Sequence, residues 1–198
     1  MRTVLVAAMA ACSLGLAGPA LAADPAAQPD IRNVEAPGNL ESKYDLDCIG
    51  ANKVENRYTP TDLYRAVAKC AAAGRYEEGA FLFALAGAYG RFDILRVEDN
   101  TAHQAVTVAR MQALAGLNHD QQAAFQESIK TALRPENLAA VCREVVRIGP
   151  PDYYPRYMVQ HGMAALRGAN GGDGLLKDFD AKAAWQQALA GYLHCPGF

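Results

Sequence analysis

Thr59-Pro60-Thr61-Asp62, followed a turn later by Tyr76-Glu77-Glu78-Gly79-Ala80-Phe81-Leu82-Phe83-Ala84-Leu85-Ala86, decides the fold. The first four residues read as a helix start, with a hydroxyl cap and proline in the first turn. Leu63, Val67 and Cys70 then fall on one face, and Gly74 ends the helix. The second stretch opens at Tyr76 and Glu77 and is apolar all round. A helix of that kind lies at the centre of a domain. Its small residues Ala84, Gly87 and Ala88 admit a close neighbour.

Downstream, the same three-to-four spacing predicts further helices. One spans about residues 93–114, with Val97, Thr101, Ala105 and Val108 inward. Another covers about 121–133 after an Asn118-His119-Asp120 cap, with Phe125 and Ile129 buried. Pro135 starts the next, where Leu138, Val141, Val145 and Ile148 form a stripe that Gly149-Pro150-Pro151 stops. A sixth is expected over about 155–166 and a last over about 179–193. On the last, Ala181, Trp185, Ala188, Tyr192 and Cys195 share a face. Sustained period-two runs of β-branched residues do not occur. The expected fold is all-α, a compact bundle of six or seven helices.

The stretch from Thr59 to Arg91 resembles one tetratricopeptide repeat, a helical hairpin of about 34 residues. The likeness lies in Leu63 and Cys70, then Gly74-Arg75-Tyr76-Glu77-Glu78, then Phe83 and Ala86. It departs at Gly79, where the family prefers Ala, and at Arg91, where the family often has Pro. With no second copy, the resemblance implies one hairpin inside a bundle. Such proteins bind peptides or partner proteins.

The first 22 residues read as a secretory signal. Arg2 supplies the basic start, Val4 to Leu16 the apolar run, and Ala20-Leu21-Ala22 the cleavage site. Met9-Ala10-Ala11-Cys12 loosely resembles a lipoprotein box, with lipidation of Cys12 as the weaker alternative. Residues 23–40, with Pro25, Pro29 and Pro37, read as a flexible leader, and residues 41–198 as a single domain. Residues 41–56 are ambiguous, with room for a helical turn around Cys48. The destination is periplasmic or secreted, and nothing after the signal is apolar enough to span a membrane.

Four cysteines follow the signal: Cys48, Cys70, Cys142 and Cys195. In an oxidising compartment an even number reads as two disulfides. Three pairings are possible. Shorter loops close more readily, which favours Cys48–Cys70 with Cys142–Cys195.

Charge excludes one class of function. The chain carries 19 Lys and Arg against 21 Asp and Glu, a net charge of −2. A nucleic-acid binder carries a basic stripe instead.

Chemistry is thinly marked. Asp99 lies four residues before His103, and His161 sits in a largely apolar setting; the three would make an open metal site if their helices met. Satisfied, partly buried histidines are the commoner outcome. Asn170-Gly171-Gly172-Asp173-Gly174 lacks the oxygen ligands of a calcium loop. No Gly-x-Ser-x-Gly elbow is present, and Ser128 sits mid-helix without a base.

A surface is the remaining candidate. Pro150-Pro151-Asp152-Tyr153-Tyr154-Pro155-Arg156-Tyr157 sets three tyrosines and an arginine in a stiffened turn. Tyr and Arg anchor interfaces, and a stiff loop loses little entropy on docking. Tyr153, Tyr154, Arg156 and Tyr157 are therefore the expected partner contacts, unless Tyr153 or Tyr157 packs beneath the loop. Arg91-Phe92-Asp93 with Arg96 reads as a second, weaker patch.

The favoured reading is a non-catalytic periplasmic protein that binds another protein, without cofactor. An immunity protein or inhibitor of a toxic enzyme is one version, an envelope adaptor another. The alternatives are an exported metal-dependent enzyme using His103, His161 and Asp99, and a small-molecule binder with a pocket near Phe81 and Phe83.

Overall fold

A computed structural model of the chain describes residues 34–169 and 172–197. The signal segment, Cys12, the leader as far as residue 33, and Asn170-Gly171 of the glycine loop lie outside the described residues. The rest, from Val34 onward, is one compact all-α unit. Its elements are α1 (Pro60–Ala72), α2 (Tyr76–Arg96), α3 (Ala105–Leu114), α4 (His119–Ala132), α5 (Pro135–Ile148), the single turns α6 (Arg156–Val159) and α7 (Met163–Leu166), and α8 (Ala181–Gly191). Among the described residues the only β feature is an isolated bridge between Val97 and Leu175. Among them, too, no helix is long and apolar enough to cross a membrane.

The hairpin of α1 and α2 is the frame. Thr59 and Asp62 cap α1 reciprocally, side chain to backbone in both directions. Gly74 turns the chain in the left-handed region at φ 72°. α2 runs through the middle, packed by α1, α4 and α8, with Leu82, Leu85, Ala86 and Tyr89 fully buried. Each buried leucine contributes about 1.5–3 kcal/mol of apolar transfer. Gly79 has a packing reason. A Cβ there would stand 3.1 Å from the Phe125 ring and 3.2 Å from the Cys70 Cβ.

Both disulfides form in the favoured pairing, Cys48–Cys70 and Cys142–Cys195. The first ties the segment before α1 to that helix. The second ties the end of the chain to α5. The helical turn expected around Cys48 falls instead at Ala51–Lys53.

Three boundaries differ from the sequence reading, each through a contact made elsewhere in the chain. α2 continues through Asp93 to Arg96, so no single helix spans residues 93–114. Val97 to Asp99 are extended because Glu98 donates to the Gly174 carbonyl (3.0 Å) and Leu176 donates to that of Arg96 (2.9 Å). Asp99 then caps the 3-10 turn Asn100–Gln104 that leads into α3. The expected helix over 155–166 breaks into α6 and α7 at Gly162, where a Cβ would collide with the Asp99 carboxylate. α8 ends at Gly191, and His194 adopts a left-handed φ of 58°. Cys195 thus reaches the core from beyond the helix, donating its amide to Leu189.

Candidate binding groove

Two buried carboxylates shape one face of the molecule. The first, Asp62, lies in the first turn of α1 and holds an arm of irregular chain, Leu40 to Tyr44. Its Oδ1 accepts from the amides of Lys43 (2.6 Å) and Tyr44 (2.8 Å) and from the Ser42 hydroxyl (2.7 Å). Its Oδ2 accepts from the amide (2.8 Å) and hydroxyl (2.7 Å) of Thr59. The arm is fixed further by Thr61, which donates to the Glu41 carbonyl, and by the Leu40 amide, which donates to that of Tyr157. Residues near its start, read as the end of a leader, pack too: Ala36 is buried and Asn39 meets His161.

The second carboxylate, Asp93, lies near the end of α2 and is 0% exposed. It holds the loop that runs from Pro150 into α6. Tyr157 donates its hydroxyl to Oδ2 (2.8 Å) and Tyr153 does the same (3.0 Å). Arg96, one helical turn on, reaches Oδ1 through Nε (2.9 Å) and Nη2 (2.7 Å). The second contact is an ion pair without hydrogen-bond alignment, so Nη2 is a buried donor with no directed acceptor. The guanidinium lies between the rings of Phe92 (5.0 Å) and Tyr153 (5.2 Å). Burial pushes the Asp93 carboxyl above the usual range, while Arg96 and the two phenols pull it back. Burial also raises Tyr153 and Tyr157 well above an ordinary phenol, and the Asp93 charge adds to it. Asn56 closes the loop's base: its side chain donates to the Pro150 carbonyl, and its own carbonyl accepts from Asp152.

Between arm and loop lies an open groove of about 540 Å³. Tyr44, Tyr153 and Tyr154 contribute ring surface, with the buried Tyr157 beneath them. Lys43, Arg57 and Arg156 stand along it with Glu41 and Asp152. Arg57 stacks on Tyr44 (5.3 Å) and Tyr58 (5.8 Å) and pairs with Glu55 at 2.8 Å. Arg156 reaches Glu41 at 3.5 Å and the Pro37 carbonyl at 3.3 Å.

The structure divides the four expected contact residues. Tyr154 is 46% exposed, its hydroxyl on the Asp173 carbonyl (2.6 Å), and Arg156 is exposed. Tyr157 is 1% exposed and Tyr153 half-buried, both turned inward to Asp93, so neither stands out as a surface anchor. The second patch is no patch, since Phe92, Asp93 and Arg96 are buried. Sequence reasoning passed over Asp62 and Asp93 as organising groups. The available signals were the Thr59-to-Asp62 box spacing and a lone acid, Asp93, in the apolar Phe92–Leu95 run with Arg96 three residues on.

Asp99, His103 and His161 are not brought together as ligands. Asp99 accepts from the Thr101 amide (2.9 Å) and hydroxyl (2.6 Å) and from the Ala164 amide (2.9 Å). Burial opposes its ionisation, but those hydrogen bonds prevail and hold it below the usual range. His103 donates from Nε2 to the Val97 carbonyl (2.9 Å), and His161 from Nδ1 to Asn39 Oδ1 (2.7 Å). Among the described residues no group of three or more His, Cys, Asp or Glu is placed to hold a metal ion. Near Phe81, the Phe83 ring meets Tyr64 and Phe125 edge-on at 5.7 and 5.9 Å.

Compared with known proteins, the chain matches no family model, no curated protein and no solved structure.

Proposed function

We propose that this chain is an exported, non-catalytic helical protein that docks another protein in the groove between the Leu40–Tyr44 arm and the Pro150–Tyr157 loop. The observation that carries the reading is the groove's construction. Its tyrosine ring surface and its arginines are the residue types that anchor interfaces. Both walls are fixed by buried carboxylates before any partner arrives, so little ordering entropy remains to oppose docking. Two disulfides and the signal-like first 22 residues support a periplasmic setting. The tetratricopeptide-like hairpin fits a binding role. An inhibitor of a toxic enzyme and an envelope adaptor are its two concrete forms.

The test is cross-linked capture from periplasmic extract. Tyr154→Ala with Arg156→Ala abolishes capture of the specific partner, while Arg134→Ala, on the remote turn before α5, does not. Equal capture by all three chains overturns the groove as the docking site. Mass spectrometry of the mature protein, starting near Ala23, checks export.

A further inference from the structure

We infer that the groove takes an acidic segment of the partner protein and reads it through side chains alone; this rests on the docking role proposed above. Three cations, Lys43, Arg57 and Arg156, line it against two carboxylates, Glu41 and Asp152. The groove thus reverses the sign of a chain whose net charge is −2. Two of these cations are available, while Arg57 is held by Glu55 at 2.8 Å. Lys43 is exposed, makes no ion pair among the described residues, and leans on the Tyr44 ring at 5.6 Å. The Arg156 contact with Glu41 is long, at 3.5 Å, and both side chains are more than half exposed. Exposed pairs of that kind contribute about 0–1 kcal/mol and exchange readily for an incoming carboxylate.

Most of the arm's amides are engaged. Those of Leu40, Glu41, Lys43 and Tyr44 donate to Tyr157, Gly38 and Asp62, and the Glu41 carbonyl accepts from Thr61. With four of its five amides taken and Leu40 in the left-handed region at φ 51°, the arm presents no regular edge for main-chain pairing, the mode that extended peptides use at sheet edges. Tyr153 and Tyr154 offer rings, not hydroxyl donors, because Tyr153 donates to Asp93 and Tyr154 to Asp173. What remains is apolar ring surface bordered by positive charge. That chemistry fits an aromatic or aliphatic residue flanked by Asp or Glu.

The test is selection from a random twelve-residue phage-displayed library on the full chain with both disulfides intact. Every variant is first checked for intact disulfides by mass and for helix by circular dichroism. The expected result is enrichment of peptides with more Asp and Glu than Lys and Arg. Their binding is lost with Tyr154→Ala and Arg156→Ala, falls at least tenfold with Lys43→Glu and Arg57→Glu, and weakens as salt rises. Groove-dependent peptides that are neutral or basic overturn the acidic inference and leave the docking role standing. Failure to recover any peptide sensitive to the Tyr154 and Arg156 changes overturns both.

Discussion

Asp62 and Asp93 hold opposite walls of the same groove by different chemistry. Asp62 gathers five hydrogen bonds from amides and hydroxyls, three from the arm and two from its own cap, with no cation among its hydrogen-bond donors. Asp93 takes a guanidinium from the next turn of its own helix and two phenols from residues sixty or more positions on. An acceptor met by backbone amides fixes one strand of chain locally. A buried ion pair is a shared load: removing either member strands the other in a low-dielectric interior. Damage at Asp93 should therefore spread through the core, whereas damage at Asp62 should stay with the arm.

The largest effect expected is at Asp93. Asp93→Ala leaves Arg96 charged and unpaired and two phenols unsatisfied, at a cost of about 3–5 kcal/mol. Denaturant unfolding measures it, and a loss below about 1 kcal/mol would erase the contrast. Opening the Cys142–Cys195 loop, which spans 53 residues, comes next. Replacing both with serine costs about 4 kcal/mol, against about 3 for the 22-residue Cys48–Cys70 loop. Chemical denaturation of the two double variants gives the order. Tyr157→Phe sharpens the comparison from the loop side. It removes one donor to Asp93 and costs about 1–3 kcal/mol, since the acceptor stays buried.

The smallest effect is a pH slope. Burial holds the His161 imidazole below its ordinary range, with Glu35 working against it. The unfolded chain then binds the extra proton first, so stability is full above about pH 6.5 and declines as pH falls toward the lower folded value. His161→Gln, which keeps a donor for Asn39, flattens that slope in pH-dependent melting. An unchanged slope assigns it elsewhere.

Legibility followed the range of the interactions. α1, α2 and α5 announced themselves through signals inside each helix: cap, proline and stripe in α1, an unbroken apolar run in α2, and a proline start with an apolar stripe in α5. Thr59, Pro60 and Gly74 mark α1 without help from elsewhere. The disulfide pairing was legible because loop length favoured the right choice. The breaks at Val97–Asp99 and Gly162 were not, since each depends on a partner more than sixty residues away: Gly174 and Leu176 for the first, Asp99 for the second. The groove was half legible for the same reason. The Tyr153–Tyr157 cluster stood out by composition, but the direction of each ring depends on Asp93, sixty residues earlier. An acid in the middle of an apolar run is the local trace of such a long-range partner.

The central claim is that the Asp62 carboxylate on α1 anchors the Ser42–Tyr44 end of the arm, whose Leu40 end is held by Tyr157. Amide hydrogen exchange at Lys43 and Tyr44 tests it most directly. Exchange, slow in the native chain, should rise about a hundredfold with Asp62→Ala, which removes the acceptor of both amides, while the amides of α2 keep their protection. Arm amides that already exchange freely, or that slow and quicken only together with α2, would contradict the account.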